Sequence, residues 1–160
     1  MVRCSIDANI VIDILTGNSK GDRSPEEWDG ILELLDDFDR GSVSLVLPSA
    51  LFIELLPSHH NPAVLADFFD VLRRDNVDVL DLSVPLARRV AAIRDQSIAN
   101  SAKLSSLDAI YVATADMGNA EILYTVDSRI LKNDGRLGTH TKFRRPKAHR
   151  IRLLPPAETT

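Results

Sequence analysis

Short apolar runs alternate with amphipathic helical stripes along the whole of this chain, and no other feature restricts its fold as much. Residues 2–6, 43–47, 77–82 and 122–126 have the length and composition of strands. Helices fall between them. Ser24-Pro25-Glu26-Glu27 is a strong helix start, with proline at the first helical position and acids in the first turn. Trp28, Ile31, Leu32, Leu35 and Phe38 then recur every three or four residues. Ser49 opens a short helix in which Glu54 is the only charge; Val64, Leu65, Phe68, Phe69 and Leu72 mark another, and Pro85 starts one that runs to Ala99. Ser105 caps the helix of Leu107, Ile110, Thr114 and Met117, with Asp108 at capping-box spacing. This alternation predicts an α/β domain, a largely parallel sheet with helices on both faces and three layers in all. An alternating run at residues 149–154 supplies a last edge strand and brings the sheet to about five strands.

At 160 residues and 17.7 kDa the chain is one domain by size. It is read as residues 1–154 with a basic C-terminal segment, followed by a short tail at 155–160 beginning with Pro155-Pro156. The single cysteine, Cys4, excludes an intrachain disulfide and fits a reducing cytosol. No apolar run approaches the ~20 residues of a membrane span. Asp7 and Asp13 interrupt the apolar N-terminus, which argues against a signal peptide and for a cytoplasmic protein. The net charge of −4 conceals an asymmetry: residues 1–127 hold 10 Lys and Arg against 21 Asp and Glu, whereas residues 128–160 hold 9 against 2. A basic end on an acidic body suits local nucleic-acid binding or a solvated tail equally well. The adjacent His59 and His60 lack a partner at metal-ligand spacing.

Four carboxylates stand at places with special meaning in such a fold. Asp7 and Asp127 follow strands, Asp108 opens a helix, and Glu54 lies in an early helical turn. Singly, each has an ordinary explanation as a helix cap or a solvated face. Jointly they do not, because a parallel sheet brings the C-terminal ends of its strands to one edge. Two carboxylates about 5 Å apart at an effective dielectric near 20 repel by roughly 3 kcal/mol. A cation relieves that repulsion, and an all-oxygen donor set selects a hard ion, Mg²⁺ or Mn²⁺. Such an ion suits phosphodiester hydrolysis.

With these residues in place the sequence resembles the PIN-domain ribonucleases, and among them the VapC-type toxins of toxin–antitoxin pairs. Ser5-Ile6-Asp7-Ala8-Asn9, the Glu54 helix, Ser106-Leu107-Asp108-Ala109 with Ala113, and Thr125-Val126-Asp127 carry the resemblance, which spans residues 2 to about 152. It implies a PIN-like (Rossmann-like) α/β/α fold and Mg²⁺- or Mn²⁺-dependent endoribonuclease activity that leaves 5′-phosphate ends. It also implies a homodimer and an antitoxin partner. Carried over by position, Asp7, Glu54, Asp108 and Asp127 are the catalytic acids, with Asp7, Asp108 and Asp127 as metal ligands. Asn9 and Thr125 orient these carboxylates. Ala8 departs from the small hydroxyl residue often found between the first Asp and Asn. The basic stretch containing Lys142, Arg144 and Arg145 is expected to grip RNA phosphates. Asp13 is expected to point away from the site, and Asp116 to lie at the surface.

Other readings compete. A phosphohydrolase with Asp7 as covalent nucleophile usually wants an acid two residues on, where this chain has Asn9. A PIN-like RNA-binding or structural module without catalysis commonly lacks some of the acids, and all four are present. A housekeeping RNA-processing nuclease would use the same site; a single short domain favours the toxin.

Overall fold

A computed structural model describes residues 1–18, 21–55 and 61–148. The histidine pair and the alternating run at 149–154 lie outside the described residues. The order of elements is β1 (Val2–Ile6), α1 (Ala8–Thr16), α2 (Pro25–Asp39), β2 (Val43–Pro48), α3 (Leu51–Leu55), α4 (Pro62–Val71), β3 (Val77–Leu80), α5 (Val84–Ala99), α6 (Ser106–Met117), β4 (Ile122–Tyr124), α7 (Ser128–Lys132) and β5 (Lys142–Arg144). The five strands form one sheet in the order β3-β2-β1-β4-β5. Every pairing is parallel.

Strand alternation assigns the two faces. Cys4 and Ile6 of β1, with Leu45 and Leu47 of β2, pack among Ile10, Ile31, Phe38 and Leu51 from α1, α2 and α3. Val46 of β2, Leu123 of β4 and Phe143 of β5 point the other way, against Leu86, Ile93, Val112 and Ile130 from α5, α6 and α7. The central strands are thus covered on both sides, as a parallel sheet requires, while the edge strands β3 and β5 keep exposed residues. Burial, with the charge of Glu121, pushes the Cys4 thiol up to about 12, so it behaves as a core residue rather than a nucleophile.

The helices begin where the sequence places caps. Ser24 and Glu27 form a reciprocal capping box at 3.2 and 3.3 Å. Ser105 and Asp108 form another at 3.0 and 3.1 Å. Asp116 is not a surface residue. Its carboxylate accepts from Arg89 at 2.9 Å and from the His140 backbone N–H at 3.1 Å, joining α5, α6 and the loop before β5. The fifth strand falls on Lys142–Arg144, inside the cation-rich stretch, where Phe143 is buried between two exposed neighbours. Among the described residues no helix is long and apolar enough to cross a membrane.

Beyond β5 the chain crosses α2 at Gly30. A Cβ at that position would overlap the backbone of Pro146 and Lys147, which cannot move aside as a flexible side chain could. The crossing is locked by ion pairs from Arg145 to Glu27 and from Lys147 to Glu26. Gly30→Ala is therefore expected to destabilise the fold by about 1–3 kcal/mol despite the better helix propensity of alanine. A lowered urea midpoint at unchanged m-value checks this.

Candidate functional site

The centre of the sheet sets the site. In the order β3-β2-β1-β4-β5 the chain departs in opposite directions from the β1–β4 pair, so a crevice opens beyond the C-terminal ends of those two strands. Asp7 follows β1 directly, and Thr125 and Asp127 follow β4. Glu54 comes from α3, just after neighbouring β2. Asp108 lies at the N-terminus of α6, which runs back along the sheet before β4 and so returns its first turn to the same edge.

Each acid is held differently. Asp7 occupies the N-cap position of α1, yet its side chain makes no capping hydrogen bond. Its Oδ2 instead accepts from the Thr125 hydroxyl at 2.8 Å and from Asn9 Nδ2 at 3.5 Å. The Thr125 hydroxyl in turn accepts from the Asp127 N–H at 3.0 Å, so one relay links the ends of β1 and β4. Glu54 accepts the Tyr111 hydroxyl at 2.7 Å, from α6. Asp108 uses Oδ2 in its capping box. Asp127 caps α7 and is gripped by Arg129: Oδ1 accepts the Arg129 backbone N–H at 2.7 Å and Nε at 3.4 Å, and Oδ2 accepts Nη2 at 3.1 Å.

Electrostatics separates the acids into two groups. Asp7 is only 4% exposed. Burial pushes its carboxyl from the ordinary 3.8 up to about 6, against the pull of the Thr125 hydroxyl and the Ala8 amide, and the charges of Asp108 and Glu54 add to the rise. Burial also raises Tyr111 well above its ordinary value, helped by the hydrogen bond to Glu54 and by Glu54, Asp7 and Asp108 as charges. Asp7 and Tyr111 therefore both lie in the field of Glu54 and Asp108. Asp127 behaves oppositely: partial burial pushes it up, but the Arg129 contacts outweigh this and hold it below its ordinary value.

Among the described residues no group of three or more carboxylate, imidazole or thiol side chains is disposed to hold a metal ion as the side chains stand. Asp127, expected as a ligand beside Asp7 and Asp108, has both oxygens turned to Arg129. The donor chemistry of the remaining acids nonetheless fits Mg²⁺ or Mn²⁺, which bind through one or two carboxylates and keep several waters. Asp13 pairs with Arg23 at 2.5 Å. Of the basic residues, Arg144 pairs with Asp134 and Arg145 with Glu27, both at Nη1. The Arg144 carbonyl accepts the Thr125 N–H at 2.9 Å, which sets β5 beside the site. Sequence reasoning missed Tyr111, whose spacing reads as part of a helical apolar face, and Arg129, whose only signal was its place two residues after a capping acid.

A profile of the PIN domain matches residues 5–136 of this chain. No match was found among curated proteins. Among solved structures, the chain is similar to VapBC2 from Rickettsia felis, bound to a DNA fragment from its promoter, with 15% identity, a TM-score of 0.60, and coverage of 89% of this chain and 98% of that one. It is similar also to FitAcB from Neisseria gonorrhoeae, with 17% identity, a TM-score of 0.52, and coverage of 81% and 91%. A FitAB structure bound to the IR36 DNA fragment is similar at 14% identity and a TM-score of 0.55, covering 88% and 94%. At these identities the likeness establishes the shared fold.

The raised Asp7 pKa has a definite sign. Its contribution to folding stability is complete below pH 3.8 and is lost as pH rises through about 6. With EDTA present, Asp7→Asn should therefore stabilise the protein at pH 7.5, by up to about 3 kcal/mol, and the gain should shrink towards pH 4. Urea unfolding of both proteins at the two pH values measures it.

Proposed function

Because this chain belongs to the PIN-domain family, we propose that it is a metal-dependent endoribonuclease acting as the toxin of a toxin–antitoxin pair. PIN domains are generally nucleases. The observation that carries the finer reading is the treatment of Asp7: a nearly buried carboxylate that declines its own helix cap and is destabilised in its charged form by burial and, in addition, by the charges of Asp108 and Glu54. A stability-only site has no use for that arrangement.

Asp7 and Asp108 would hold the divalent ion. When bound, it would neutralise the carboxylates and stabilise the charge that develops on the scissile phosphate. Thr125 and Asn9 fix the direction of the Asp7 carboxylate, and Asp127 supports this through its backbone N–H to Thr125. Glu54 is the proton acceptor for the attacking water. Tyr111 occupies Oε2, so the proton is taken at Oε1. Attack of that water on phosphorus breaks the bond to the 3′-oxygen, leaving a 5′-phosphate and a 3′-hydroxyl. Arg144, level with the end of β4, and Arg145 after it take the neighbouring RNA phosphates, with Lys142 at the start of β5 extending the basic stretch. Arg144 and Arg145 do so by exchanging Asp134 and Glu27 for phosphate. An antitoxin is the proposed protein partner, by likeness to the VapBC2 and FitAB assemblies.

Two measurements test the reading. A panel of structured and single-stranded RNAs is expected to include a substrate cleaved with Mg²⁺ or Mn²⁺. Cleavage should be abolished by EDTA and reduced roughly a hundredfold or more by Asp108→Asn. Equal cleavage by the variant would sink the site assignment, and absence of any cleavage together with intact RNA binding would favour a non-catalytic module. For the basic flank, Arg144→Gln with Arg145→Gln is expected to weaken RNA binding and flatten its salt dependence by about one to two phosphate contacts. An unchanged slope would remove both arginines from the interface.

A further inference from the structure

We propose that Arg129 is a resident counter-cation that competes with the divalent ion for Asp108, and that Asp127 is the arginine's holder rather than a metal ligand. The inference rests on the metal-dependent reading above.

Arg129 lies in the first turn of α7, two residues after the acid that caps the helix. Its guanidinium and backbone N–H together take both oxygens of Asp127, at 2.7, 3.1 and 3.4 Å. The same Nη2 lies 3.8 Å from Asp108 Oδ2. One guanidinium thus touches two of the four acids, close to one and loosely to the other. The attachment to Asp127 closes a short local ring that includes a backbone hydrogen bond. It persists when Asp108 is drawn away, and the long contact is the one that yields.

Asp108 is the shared member. It faces Arg129 on one side and, on the other, is felt as a charge by Asp7. The Arg129 side chain is 58% exposed, so releasing Asp108 costs little and leaves the arginine solvated. The fold therefore carries two ways of neutralising Asp108. A loosely held internal cation keeps the acids tolerable to one another without metal, and its retained charge opposes the incoming ion. Asp127, with both oxygens engaged, supplies that cation instead of a donor atom. Removing the Arg129 charge should tighten ion binding by about three- to tenfold.

The test is a Mn²⁺ titration of the full-length protein, following the free ion by electron paramagnetic resonance, with circular dichroism melts as the fold control. Wild type should bind Mn²⁺ and Asp7→Asn should lose that binding. Arg129→Gln should bind about three- to tenfold more tightly at the same stoichiometry, Arg129→Lys should stay near wild type, and Asp127→Asn should retain binding. If wild type binds but Arg129→Gln binds equally or more weakly, the inference alone is overturned. Loss of binding in Asp127→Asn, with its fold intact, overturns it as well, and decides the point independently should Arg129→Gln fail to fold. If wild type binds no Mn²⁺ at a site that Asp7 controls, the metal-dependent reading itself fails and the inference with it.

Discussion

The hydrogen bond from the Thr125 hydroxyl to Asp7 is the contact on which the rest of the site depends. It joins residues 118 positions apart, at the ends of two neighbouring central strands. A nearly buried carboxylate is costly unless it is hydrogen-bonded or neutralised. Here the first requirement is met by a hydroxyl that is itself fixed by the Asp127 N–H. The second is not met by these neighbours, because the charges that act on Asp7 are two more carboxylates, Asp108 and Glu54. The fold thus holds Asp7 rigidly in a state that favours a cation. Rigidity of this kind sits on strand ends rather than on long loops, which suits a group that must be placed accurately.

Much of this was legible in the sequence, and the reasons are local. Ser24 with Glu27 and Ser105 with Asp108 are reciprocal caps, written entirely within four residues each. The strand runs at 2–6 and 43–47 are apolar because both sheet faces are covered. The convergence of the acids then follows from parallel pairing, which brings the C-terminal ends of the strands to one edge. What stayed hidden is non-local or too short to show a period. β5 has three residues, and between two cations its single apolar residue, Phe143, gives no alternation to detect. Tyr111 reads as one more apolar helix position, and its hydroxyl matters only because α3 places Glu54 opposite it. Asp116 looks like an exposed helix acid until Arg89 and His140 arrive from elsewhere in the chain. The double role of Asp108, cap and site residue at once, shows why the two explanations for an acid at a helix start need not exclude each other.

The contrast between acidic body and basic end has a structural counterpart. Arg144, Arg145 and Lys147 fold back on Asp134, Glu27 and Glu26, and Arg129 on Asp127 and Asp108. Exposed pairs of this sort contribute little stability each. They do align the last described segment across α2, where Gly30 leaves room for it. The described part of the basic end thus belongs to the domain's packing, and a phosphate taken by Arg144 or Arg145 would be exchanged against an internal carboxylate.

The position of β1 at the centre of the sheet reaches beyond the finished structure. This strand is made well before β4, its second neighbour, and β4 acquires its own outer neighbour only with β5. Contacts of such long sequence separation form late, after the loop-closure entropy of most of the chain has been met. Thr125 cannot reach Asp7 until the chain has been made through β4. A nascent chain consequently presents Asp7 without its partner after β4, and the acids gather only once that strand is in place. This topology delays the assembly of the site until β4 has taken its place beside β1.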